Sequence, residues 1–180
     1  MRGLVDEARL RRLMRGLGRE ADRPVRVYFT GGATAVLAGW RGSTIEVDLI
    51  FAPELDRIFR ALSRLKEELG INVEIVSPAH FLPELPGWEA RSLYIGREGQ
   101  ADFFHYDPYA QALSKIERGH RQDRDDVEEL IGRGLVESAE LLRLFEAIEP
   151  DLFRYPAIDP GALRDSVQAV VRRHGAEGRG

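Results

Sequence analysis

Two adjacent glycines, set between a strand pattern and a short apolar helix with a second strand close behind, constrain this chain more than any other feature. Residues 27–49 read VYFTGGATAVLAGWRGSTIEVDL. Val27 and Phe29 alternate with Tyr28 as a strand does, the Gly31-Gly32 pair breaks it, and residues 33–38 make an apolar helical run closed by Gly39. The strand that follows carries Glu46 and Asp48. Successive strand side chains point to opposite faces, so these two carboxylates share one face, while Ile45, Val47 and Leu49 turn the other way into apolar surroundings. Two carboxylates side by side repel unless a cation lies between them.

Around this stretch the chain reads as alternating elements. Residues 4–17 place Leu4, Ala8, Leu10, Leu13, Met14 and Leu17 on one side of a helix, and residues 25–30 form the first strand. Pro53 suits a first helical position, and Leu55, Ile58, Phe59, Leu62, Leu65 and Leu69 follow at helical spacing up to Gly70, a C-terminal cap. A strand over residues 71–76 comes next, with Asn72, Glu74 and Val76 on one face. Residues 81–88 (FLPELPGW) suggest a packed irregular loop, and residues 93–97 and 101–106 a hairpin turning at Glu98-Gly99. Asp107-Pro108 opens a helix as N-cap and first turn, running to Gly119. Further helices are expected over residues 122–131, 138–148 and from Asp159-Pro160 through Val170, with a polar tail from Arg172 that frays. The fold class is therefore α+β: a small mixed sheet flanked by helices in residues 1–106, and a helical region in residues 107–180 packed on that core.

Composition narrows the function classes. With 43% apolar and 31% charged residues, the 180-residue chain falls in the ordinary globular range. No apolar run approaches the roughly 18 residues that span a bilayer, and the charged, amphipathic start lacks a signal-peptide core. A cytoplasmic protein with no membrane partner is expected. The absence of cysteine excludes thiolate metal sites and disulfides. A formal charge of −4 argues against bulk DNA binding. The four histidines, His80, His105, His120 and His174, show no zinc-ligand spacing.

Glu46, Asp48 and Glu74, on two strands, are the candidate metal ligands. Hard divalent cations, Mg²⁺ or Mn²⁺, favour carboxylate oxygens and keep positions open for substrate phosphates. Two such ions can hold both the attacking and the leaving oxygen of an in-line phosphoryl displacement. Gly31 and Gly32 let backbone approach a ligand closely, the helix after them offers N–H groups to an anion, and Thr34 adds a hydroxyl. Asp102 is a second candidate for the third acid. The bland alternatives are an edge strand kept charged against aggregation, a plain glycine turn, and structural ion pairs between Lys115 or Arg118 and the neighbouring acids Glu117, Asp123 and Asp126.

Strand, Gly-Gly, short helix, acid-x-acid on the next strand and a third acid on a later one: this order resembles the nucleotidyltransferase (polymerase beta-like) superfamily. The compact bacterial AbiEii-like and minimal nucleotidyltransferases are the closer likeness. TGGATAVLAGWRGSTIEVDL, INVEIVSPAHFLPELPGW and HYDPYAQALSKIERGHRQDRDDVEEL carry it, from about residue 27 to residue 130. The resemblance implies transfer of a nucleotide from a nucleoside triphosphate to an acceptor, tRNA or protein. It also implies, in some members, a toxin role beside a cognate antitoxin. It assigns Glu46, Asp48 and Glu74 to catalysis and Mg²⁺ or Mn²⁺ binding, with Gly31, Gly32, Thr34, Lys115 and Arg118 to the nucleotide. This chain departs from the pattern where Glu46 replaces the usual Asp, moving the carboxylate by about one C–C bond in a site whose geometry holds to roughly 0.5 Å. A binding module with weakened catalysis is the alternative reading. Gly32 also stands where Ser is common.

Overall fold

The computed structural model describes residues 3–175 as two compact units. The first comprises the chain up to Ser77 together with Ser92–Tyr106. In chain order it contains α1 (Glu7–Glu20), β1 (Val25–Thr30), α2 (Gly31–Leu37), β2 (Glu46–Ala52), α3 (Asp56–Leu69) and β3 (Asn72–Ile75). The second unit's short α4 (Trp88–Arg91) then precedes β4 (Leu93–Glu98) and β5 (Ala101–His105) of the first. The five strands stand in the order β3-β2-β1-β5-β4. β1 runs antiparallel to β2 and parallel to β5, β2 runs parallel to β3, and β4 and β5 form the expected hairpin.

One face of this sheet is the core. Val27 and Phe29 of β1, Val47, Leu49 and Phe51 of β2 and Phe103 of β5 are buried there with Leu10, Leu13 and Leu17 of α1 and Ile58, Leu62 and Leu65 of α3. Phe29 and Phe103 stack with ring centroids 5.9 Å apart. Each such side chain contributes roughly 1.5–3 kcal/mol by leaving water. Two helix glycines let α1 come close: a Cβ at Gly16 would stand 2.6 Å from Leu65 Cδ2, and one at Gly18 would strike the Glu98 carbonyl oxygen. α1 starts on an Asp6 cap that accepts from the Arg9 N–H at 2.9 Å, and α3 ends on Gly70 at φ 62°.

Five local expectations change. Leu4, expected on the apolar side of the first helix, precedes α1, which starts at Glu7, and is 62% exposed. Pro53 lies outside α3, after a cis Ala52–Pro53 bond; the helix begins three residues on, with Leu55 as N-cap. α2 includes the glycine pair instead of following it, because Gly31 at φ 61° turns the chain directly from strand into helix. Ile45 is 77% exposed rather than facing apolar neighbours. The strand alternation does not reach it: β2 begins at Glu46, and Thr44 pairs instead with Val5 in an isolated bridge. The tail from Arg172 is helical as far as Gly175, with Arg173 and His174 both on Glu128 at 2.6 and 2.9 Å; residues 176–180 of that tail lie outside the described residues.

The second unit comprises Pro78–Arg91 and the chain from Asp107 onward. Besides α4 it holds α5 (Pro108–Arg118), α6 (Arg121–Gly132), α7 (Ser138–Ile148) and α8 (Pro160–Gly175), with 3₁₀ turns at Pro78–His80 and Glu149–Arg154. Leu113, Val127, Leu130, Leu144, Phe145, Leu163 and Val167 are buried in it. Asp107 caps α5, accepting from the Tyr109 N–H at 3.0 Å, and its fully buried carboxylate takes Arg91 Nη2 at 2.6 Å, tying α4 to α5. Burial pushes the Asp107 carboxyl above the usual range, against the hydrogen bond and charge of Arg91. Tyr155 donates to the Ala79 carbonyl at 3.3 Å, which fastens the 78–91 segment to the later helices.

Candidate metal and nucleotide site

The face of the sheet opposite the core carries the acids. β2 turns Val47, Leu49 and Phe51 into the core, and that alternation leaves Glu46 and Asp48 together on the other side. The parallel register of β2 with β3 sets Asp48 opposite Glu74 and Glu46 opposite Asn72, so all four side chains stand on one face. One carboxylate oxygen from each of Glu46, Asp48 and Glu74 lies within 4.8 Å of the others. Glu46 and Asp48 are half-buried and Glu74 is exposed. Asp102, the competing third acid, stands on β5, which is separated from β2 by β1, and pairs with Arg97 at 3.6 Å.

The electrostatics of this cluster follow from its geometry. Partial burial raises the Glu46 carboxyl above its ordinary value; a hydrogen bond with Glu74 and the charges of Glu74 and Asp48 add to the rise, and the charge of Lys66 opposes it. An arrangement that crowds negative charge in this way holds a proton or a cation in preference to nothing. The donor set, three carboxylates with no nitrogen or sulfur ligand, fits a hard cation such as Mg²⁺ or Mn²⁺. Asn72 Nδ2 donates a short hydrogen bond to Glu46 Oε1, which orients the longer side chain found there.

The glycine corner abuts the acids. A Cβ at Gly31 would stand 2.9 Å from Asp48 Oδ2, so any side chain there would crowd the carboxylate. At Gly32 the missing Cβ makes room for Thr44, with Arg41 Nη1 3.3 Å from the same point. Thr34 is buried, its hydroxyl donating to the Phe29 carbonyl at 3.2 Å and lying 3.3 Å from His105 Nδ1. Burial, and secondarily the charge of Arg11, pushes His105 down to about 4, so the ring is neutral near pH 7.

Lys115 and Arg118 belong to the second unit. Lys115 is buried, with Nζ 2.6 Å from Asp126 and 3.9 Å from Asp123, while Arg118 Nε donates to Asp123 at 2.9 Å. Burial would push the Asp123 carboxyl up, but the hydrogen bond and charge of Arg118, with Lys115 behind them, hold it below the usual range. Asp123 also accepts from the His120 N–H at 3.2 Å, closing the capping box that starts α6. Of the ion pairs foreseen for this segment, those joining Lys115 and Arg118 to Asp126 and Asp123 are present, and the helix starts close to the foreseen position.

Asn72 stands in the acid cluster without being foreseen as a site residue. Asn72 was legible as sharing a face with Glu74, yet its partnership with Glu46 depends on β2–β3 register.

The chain matches, over residues 8–154, the family described as "Nucleotidyltransferase of unknown function (DUF6036)". No curated protein and no solved structure matches it.

Proposed function

The chain belongs to this nucleotidyltransferase family, and we propose that it moves a nucleotide from a nucleoside triphosphate to an acceptor hydroxyl on tRNA or protein. Pyrophosphate is the leaving group. The observation that carries this reading is the meeting of Glu46, Asp48 and Glu74 on two parallel strands beside a glycine corner. In the reaction an acceptor oxygen attacks the α-phosphorus, the bond from that phosphorus to the bridging oxygen breaks, and pyrophosphate departs with its electron pair. Glu46 and Asp48 would hold Mg²⁺ or Mn²⁺, with Glu74 completing the set. Such ions, when bound, neutralise the charge that builds on the phosphate oxygens. Glu74, exposed at the edge of the cluster, takes the acceptor proton and passes it to solvent. Asn72 holds Glu46 by one oxygen, and Gly31 keeps the approach to Asp48 open. Lys115 and Arg118, which the resemblance assigns to the nucleotide, are engaged within the second unit by Asp126 and Asp123.

The likeness to the AbiEii-like branch supports a toxin-like role with a cognate antitoxin. The test is incubation of the purified protein and a cell extract with each labelled nucleoside triphosphate and Mn²⁺. Label should pass to tRNA or protein with the wild type, and Asp48→Asn should lower transfer by at least about 100-fold. No transfer from any nucleotide would defeat the reading. The occurrence of Glu46 at an Asp position favours one rival, a module that binds nucleotide with little turnover. Affinity without transfer, unrelieved by Glu46→Asp, would establish that rival.

A further inference from the structure

The glycine corner carries a cation that the sequence pattern did not assign. We infer that Arg41 is the residue of the first unit that grips the β- and γ-phosphates of the triphosphate. The inference rests on the nucleotidyl-transfer reading and adds a binding residue to it.

Arg41 reaches the corner on a connection fastened at both ends. Behind it, the Trp40 and Arg41 N–H groups both donate to the Ala35 carbonyl of α2, at 3.1 and 3.2 Å, after a turn at Gly39 with φ 89°. Ahead of it, Thr44 exchanges backbone hydrogen bonds with Val5 at 2.7 and 2.9 Å, and its hydroxyl donates to the Glu46 carbonyl at 3.0 Å. Between these anchors the connection crosses Gly32 so closely that a Cβ there would strike Thr44 and stand 3.3 Å from Arg41 Nη1. The neighbouring glycine has Asp48 Oδ2 at 2.9 Å from its own absent Cβ. Consecutive glycines thus lie against the Asp48 carboxylate on one side and the Arg41 guanidinium on the other.

A triphosphate held at Asp48 through a divalent cation would have its outer phosphates within reach of this corner. Guanidinium is the group suited to them, because its planar fork gives paired hydrogen bonds to phosphate oxygens and its charge persists at any working pH. The short connection, pinned at both ends, limits the backbone freedom lost on binding. Gly32 is therefore a glycine for the passage of Thr44 and Arg41 as much as for the approach of a ligand.

Calorimetric titration of the full chain in Mg²⁺ tests this, with each nucleoside triphosphate, its monophosphate and inorganic pyrophosphate as probes. Wild-type binding of at least one triphosphate is what the underlying reading requires, and no binding overturns both that reading and the inference. Given binding, Arg41→Ala should weaken triphosphate and pyrophosphate by about 10-fold or more, while the monophosphate changes by less than about twofold. Arg41→Lys, which keeps the charge and loses the fork, should recover part of the loss. Triphosphate affinity unchanged in Arg41→Ala, or a loss shared equally by the monophosphate, would overturn the assignment and leave the nucleotidyl-transfer reading standing. Should Arg41→Ala not fold, Arg41→Gln carries the same comparison.

Discussion

Glu46 and His105 show how environment sets what a single titratable group does. In Glu46, burial and the flanking carboxylates raise the pKa, so proton and cation compete for the same oxygens. A glutamate raised in the folded state favours folding at low pH and loses that contribution as pH rises through its folded value. A bound cation reverses this. Added Mn²⁺ should therefore raise the thermal midpoint more near neutrality than near the ordinary glutamate value of 4.5, and the difference should vanish in Glu46→Gln. Equal shifts at both pH values would show that the cation binds elsewhere. His105 works in the opposite sense. Its folded value is about 4 against an ordinary 6.5, so the unfolded chain binds the extra proton between them and stability falls as pH drops through that window. The full shift corresponds to about 3 kcal/mol. Denaturant titrations should show the wild type losing up to that much more than His105→Gln, a variant that keeps a polar group toward Thr34.

At the scale of elements, the approach of α1 sets the core side of the sheet. Gly18 meets the backbone of Glu98, and Gly99, at φ 57°, meets the Gly18 carbonyl in return. Neither backbone can move without disturbing the β4–β5 hairpin. Gly18→Ala should cost about 1–3 kcal/mol in urea unfolding. At Gly16 a Cβ would meet the Leu65 side chain, whose nearest atoms are its methyls and Cγ, and side-chain atoms yield more readily than backbone. Gly16→Ala should therefore be the milder change, even though both gain helix propensity by roughly 1 kcal/mol. If the two cost the same, backbone contact is not what demands glycine at position 18. The β2–β3 pair shows a second element-scale effect: its parallel register, Glu46 to Asn72 and Asp48 to Glu74, gathers the acids in a way that neither strand achieves alone.

Across the whole chain, the two units are interlaced in sequence. Residues 78–91 leave the sheet unit between β3 and β4 and join the helices that follow Tyr106. Arg91 meets Asp107, and Ala79 meets Tyr155, so this excursion relies on partners that come later in the chain. A chain cut after Tyr106 retains the segment without those partners. Such a fragment should be cleaved by protease within residues 78–91 and bind more hydrophobic dye than the intact protein. Protection equal to that of the full chain would mean the segment is held by the sheet unit.

Local chemistry in the sequence determined the features that depend on near neighbours. Alternation placed Glu46 and Asp48 on one face of β2, Asp107-Pro108 opened α5, Gly70 and Gly119 closed their helices, and Gly99, one residue past the end of β4, turned the hairpin. Each follows from φ preference, capping or side-chain periodicity within a few residues. Tertiary structure decided which strand lies beside β2, and so made Glu74 the partner of Asp48 while Asp102 stands two strands away. It also brought Arg41 over Gly32 and turned Thr34 and Lys115 inward. Strand order, close backbone passage and burial are settled by contacts between residues far apart in the chain, and no spacing along it records them.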